Sequence, residues 1–252
     1  MAKLFLFCDE AGTMPVDDRD PPFCVAAVAT PLAPPAALKA CGHPSELAEV
    51  FADLGCVPFV CFVRPTKGYG SLFRRKTSKM NTMARAVRLA TGSHAYLPEH
   101  GHNARNLIWI RCMNLALVRA VLETPEPDGL RFVYVTLDEK TMAAASRRLF
   151  VDRVQSMTHD IPLSDFHPEE VLVEWSDELS SSDYDPGLLL ADLLSKRARY
   201  AIERCSEGEL AQELAIEPKN LFYDATEDLI RPIPQASIER WKRLTGLPEP
   251  AE

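Results

Sequence analysis

The chain has 252 residues, 46% hydrophobic and 25% charged, with a formal net charge of −8 at neutral pH. Such a length and balance suit one large α/β domain or two small ones, and they exclude a small scaffold that depends on staples. No stretch approaches the roughly eighteen apolar residues of a membrane span, so the expectation is a soluble, cytoplasmic protein with no membrane partner. The seven cysteines contain no Cys-x-x-Cys pair, and Cys8, Cys24 and Cys61 sit in apolar runs where a thiol acts as a small hydrophobe.

Taken in chain order, the first element is the apolar run of residues 4–8, which reads as a strand buried on both faces and ends at Asp9, Glu10 and Gly12. Further strands are expected at residues 23–30, 58–63, 132–137 and 171–175, each short and rich in Val, Phe or Leu. Helices are expected at residues 45–54, 83–90, 106–122, 141–157 and 186–203. Strands that cluster first and then alternate with helices imply one mixed sheet of about five strands flanked by helices. Loops are read at "GTMPVDDRDPP", "TPLAPPAALKACGHP" and "SHAYLPEHGHN", and the tail "GLPEPAE" reads as mobile. No internal repeat is present.

The charge is unevenly spread. From Leu54 to Pro98 there is no Asp or Glu, while Arg64, Lys67, Arg74, Arg75, Lys76, Lys79, Arg85 and Arg88 supply +8, leaving −16 on the rest of the chain. One reading is a solvated face whose acidic partners come from elsewhere. The other is a phosphate-binding surface for nucleic acid, with Arg64, Lys67, Arg74, Arg75, Lys76 and Lys79 as the contacts. Within it "KGYGSLFRRKTSK" interleaves Tyr69 and Phe73 with basic and hydroxyl residues, a composition suited to phosphates and bases, and equally to an ordinary surface loop.

The acids form a second pattern. The strand at 132–137 also runs into a carboxylate pair, Asp138 and Glu139. If it neighbours the first strand in parallel, Asp9 and Asp138 lie about 5 Å apart at one sheet edge, where two carboxylates repel unless a cation sits between them. A third acid, Asp192, stands inside the leucine-rich helix "DYDPGLLLADLLSKRARY", answered either by that cluster or by Lys196 four residues on. Asp183 and Asp185 are better explained as helix capping. Oxygen ligands alone suit Mg²⁺ or Mn²⁺, and carboxylates shared by two such ions suit phosphodiester hydrolysis.

"FLFCDEAG", followed far downstream by "LLLADLLS", resembles the paired signature of the domain of unknown function 3800 family, whose usual forms are Asp-Glu-Ser-Gly and Gln-Leu-Ala-Asp-Leu. Ala11 replaces the serine here and Leu189 the glutamine, and the carboxylates are kept. The resemblance spans Phe5 to about Tyr200 and implies a ribonuclease H-like fold with Asp9, Asp138 and Asp192 at the metal positions and Glu10 as a fourth acid. On that basis residues 1–205 form the ribonuclease H-like domain, with the basic segment 64–88 inserted, and 206–252 form a carboxyl-terminal extension.

His94, His100 and His102 read as loop residues, because nothing completes a transition-metal site around them. Asp177, after the last strand, is a secondary ligand candidate, and the serines of "ELSSSDYD" belong to a loop and cap. The leading expectation is therefore a metal-dependent phosphodiester hydrolase, a nuclease with Asp9, Glu10, Asp138 and Asp192 as catalytic acids. Its rivals are a non-catalytic nucleic-acid- or protein-binding module on the same fold and a hydrolase of small phosphate esters.

Overall fold

The computed structural model describes residues 3–30, 46–92, 100–123, 132–137, 170–175, 185–214, 216 and 222–249. In chain order the elements are β1 (Lys3–Ala11), β2 (Phe23–Thr30), α1 (Leu47–Leu54), β3 (Val57–Val63), α2 (Tyr69–Thr91), α3 (His100–Glu123), β4 (Phe132–Leu137), β5 (Glu170–Trp175), α4 (Asp185–Arg204), α5 (Glu207–Leu214), β6 (Phe222–Asp224), α6 (Thr226–Ile230) and α7 (Gln235–Thr245). Six strands form one sheet in the order β5-β4-β1-β2-β3-β6. The protein is thus of the mixed α/β class, with one strand more than the five expected from sequence. The sixth, β6, is three residues long, too short to show an alternating pattern.

The sheet is mixed. β1, β2 and β3 are antiparallel neighbours, whereas β4 lies parallel to β1, β5 to β4 and β6 to β3. Every residue of β2 is buried, as a central strand covered on both faces requires. Alternation sorts the side chains into two cores. Leu6 and Cys8, with Phe23, Val25, Phe59 and Cys61, pack beneath α3 around Trp109. Phe5, Phe7 and Ala11, with Cys24, Ala26 and Phe62, pack beneath α4 and α1. Burial pushes the Cys24 thiol up to about 12, and the Cys8, Cys61 and Cys112 thiols are raised by the same cause, so these cysteines fill space as neutral groups.

α4 lies close on β1 because Gly187 lets it. A Cβ built there would stand 2.5 Å from the buried Phe7 ring, so the helix start and the strand touch through the absent side chain. One sheet edge then collects the functional ends. The register sets Ala11 opposite Cys24 and Phe23 opposite Val63, so the end of β1, the start of β2 and the end of β3 coincide there.

Two expectations are corrected along this edge. The helix expected at residues 83–90 begins at Tyr69, so residues 69–79, which suited a surface loop equally well, are the first half of α2. Gly68 and Gly70 suggest a loop, but the Asp18 carboxylate accepts both their N–H groups at 2.6 Å and caps the helix from the β1–β2 connection. Phe73, Met83 and Val87 bury its inner face. The tail is also anchored as far as Glu249, whose carboxylate meets Lys79 at 2.6 Å and Lys242 at 3.7 Å. The helix expected at residues 141–157 lies outside the described residues.

The cap makes a pH prediction. The N–H groups of Gly68 and Gly70 hold the Asp18 carboxyl below its ordinary value. A depressed acid contributes stability above its unfolded pKa, near 4, and loses that contribution as pH falls through its lower folded value. Urea unfolding of Asp18→Asn against the parent should show a stability deficit at pH 7 that shrinks towards pH 3; an equal deficit at both would assign the effect to packing.

Candidate active site

Asp9 is 8% exposed near the end of β1, a rare burial for a carboxylate. Its position in the alternation matches Phe5, Phe7 and Ala11, so it lies on the face covered by α4. One of its oxygens accepts the Glu10 N–H at 2.7 Å. On α4, Asp192 receives the Lys196 ammonium at 2.7 Å, one helical turn on. The hydrogen bond to Asp192 holds Lys196 above the ordinary lysine value, burial opposes this, and the Asp9 charge adds to the rise. Lys196 is thus in contact with Asp192, and the charge of Asp9 on the neighbouring strand reaches it more weakly. The helix packs tightly there: Ser195 is fully buried and its carbonyl accepts the Cys24 thiol at 3.2 Å.

Glu10 faces the other way. Arg105 Nε donates to its Oε2 at 2.7 Å, Trp109 Nε1 donates to the same oxygen at 2.8 Å, and a second Arg105 nitrogen contacts Oε1. Both donors belong to α3, on the opposite layer from α4. The adjacent acids of "DEAG" are thus divided between the two sides of the sheet, as alternation demands. Sequence reading missed Arg105 and Trp109; their only signal was an (i, i+4) spacing that puts an Arg and a Trp on one helix face.

The register of β1 with β4 runs from Lys3 opposite Phe132 to Cys8 opposite Leu137. The parallel pairing on which the approach of Asp9 to Asp138 was conditional is therefore present up to Leu137. Asp138, Glu139, Asp177, Asp183 and His94 lie outside the described residues. His100 and His102 fall in the first turn of α3, not in a loop. Among the described residues no three His, Cys, Asp or Glu side chains gather as a metal-binding group.

The basic tract divides by role. Arg64 donates to the Cys205 carbonyl at 2.9 Å and lies over the Phe62 ring. Lys76 donates to the Asp228 carbonyl at 2.6 Å, and Lys79 is paired with Glu249. These three tie α2 and the end of β3 to the carboxyl-terminal segments. Arg74 makes an exposed pair with Asp17 at 3.0 Å, a weak interaction in water. Ser71, Arg74, Arg75, Ser78, Thr82 and Arg85 are all exposed on α2, and Lys67 just before it is exposed too.

In comparisons with known proteins, the chain matches no family model and no curated relative. No described helix is long and apolar enough to cross a membrane.

Proposed function

We propose that the protein is a divalent-metal-dependent phosphodiester hydrolase, a nuclease on a ribonuclease H-like domain. The observation that carries the reading is the buried Asp9 on the α4 face, sharing the Lys196 ammonium's environment with Asp192. The donor set fits a hard cation: both side chains offer oxygen, and the ammonium paired with Asp192 marks where positive charge is stabilised. Mg²⁺ or Mn²⁺ held by Asp9, Asp192 and Asp138 would supply charge stabilisation to the phosphate and a more acidic water. Asp9, fixed by β1, and Asp192, fixed by α4, would orient that centre, and a bound cation would compete with the exposed Lys196 for Asp192. Glu10, held by Arg105 and Trp109, supports the strand end from the far face.

The placement of α2 supports nucleic acid as the substrate of this reading. It leaves the same sheet edge as Asp9, two strands away or about 10 Å. Its exposed face then offers Arg74, Arg75 and Arg85 with no acid of its own. Such a face neutralises a backbone without reading sequence.

The test is a panel of labelled DNA, RNA and hybrid substrates with Mn²⁺. Cleavage of at least one is expected, and Asp192→Asn should abolish it. The triple variant Arg74→Ala, Arg75→Ala, Arg85→Ala should weaken binding to every sequence and flatten its salt dependence, by about 0.9 per lost phosphate contact on duplex DNA. Metal binding without turnover on any member would sink the nuclease reading, and an unchanged salt slope would remove α2 from the interface.

A further inference from the structure

A cavity of about 450 Å³ lies between α2, α3, α6 and α7, away from the acids of β1 and α4. Its size falls in the range of small-molecule sites. Phe73, Met83, Ile108, Leu229 and Trp241 make its lining mainly apolar. Four charged residues line it: Lys76, Arg111, Asp228 and, at its exposed rim, Arg240. Asp228 is already answered, receiving Arg111 at 2.5 Å and Arg231 at 3.4 Å, with the Tyr223 hydroxyl also bonded to it. Among the described residues the half-buried Lys76 ammonium makes one hydrogen bond, to the Asp228 carbonyl, of the three it can donate. Burial lowers Lys76 from the ordinary lysine value, against the pull of Asp228.

The charges at the cavity are mostly positive, Lys76, Arg111 and Arg240 against Asp228, and the 3% exposed Trp241 adds an apolar wall. An apolar chamber with a half-buried cation short of acceptors is complementary to an apolar body bearing one anionic oxygen group.

We propose that this cavity binds a small amphiphilic anion, an apolar chain or ring with a single carboxylate or phosphate, whose oxygens take up the free Lys76 donors. The site is independent of the phosphodiester chemistry, and its test needs no activity. The probes are decanoate, decyl phosphate and 1-decanol, titrated calorimetrically into the full chain below their aggregation concentrations. Saturable 1:1 binding is expected for an anion, at least about tenfold tighter than for the alcohol, since one charge-assisted hydrogen bond accounts for such a factor. Which anion binds more tightly identifies the headgroup. Lys76→Met should erase the preference over the alcohol. Leu107→Trp, at a partly exposed wall position, should abolish binding of all three by filling the chamber. No saturable binding, equal binding of anions and alcohol, or binding that survives Leu107→Trp would each overturn the proposal. Should Lys76→Met fail to fold, the comparison of anion with alcohol on the parent decides alone.

Discussion

Asp9→Asn should cost orders of magnitude in phosphodiester cleavage while leaving the protein folded. Asparagine keeps the size of the side chain and can still accept the Glu10 N–H, so the packing beneath α4 is preserved. What it removes is charge. In the parent, the negative potential of Asp9 and Asp192 is partly answered by Lys196, and apo stability should therefore change by less than about 1 kcal/mol, in either direction. The metal response separates the readings. A cation that binds only the native state stabilises it, by about 2.7 kcal/mol at a hundredfold excess over its dissociation constant, so thermal unfolding of the parent should shift upward with Mn²⁺ while Asp9→Asn stays put. Lys196→Met should respond at lower Mn²⁺ than the parent, because the competing ammonium is gone. A destabilised, metal-indifferent Asp9→Asn would make the residue a strand-end fixture and leave the acidic centre without support.

The neighbouring acid should behave in the opposite way. Arg105→Ala strands the Glu10 carboxylate, whose side chain is 10% exposed, with the Trp109 N–H as its remaining side-chain donor. Breaking a buried pair from one side costs about 3–5 kcal/mol; because Arg105 is itself 24% exposed, the lower end applies. For a chain of this length a loss of about 3 kcal/mol lowers the melting temperature by roughly 6–12 °C. Replacing both partners, Glu10→Gln with Arg105→Met, should be less damaging than the sum of the single changes, with a coupling of about 1–3 kcal/mol. Mn²⁺ should still shift the melting temperature of Arg105→Ala, since the pair lies across the sheet from Asp192. Loss of that response would place Glu10 among the metal ligands; additive single changes would deny the pair.

The sequence by itself determined the strands and the main helices of the sheet. Continuous apolar runs such as residues 23–30 have one stable home, a strand covered on both faces, and all five runs read this way are strands of the sheet. Two apolar runs that end alike raised the parallel pairing of the first strand with residues 132–137 as a condition, and the fold meets it. Asp192 could be placed inside a helix, and Lys196 could be named as its partner, because a spacing of four is local geometry.

Only the tertiary structure decided which acid of "DEAG" faces which layer. Alternation says that Asp9 and Glu10 part company, but which one meets α4 depends on how the helices are laid on the sheet. The fate of the basic tract was also non-local. Its helix is capped by Asp18, some fifty residues earlier in the chain, and Lys76 and Lys79 are claimed by groups more than a hundred and fifty residues later. A window read along the chain sees the glycines and the charges; the carboxylate and carbonyls that turn them into a capped, anchored helix arrive only when distant segments fold onto one sheet edge.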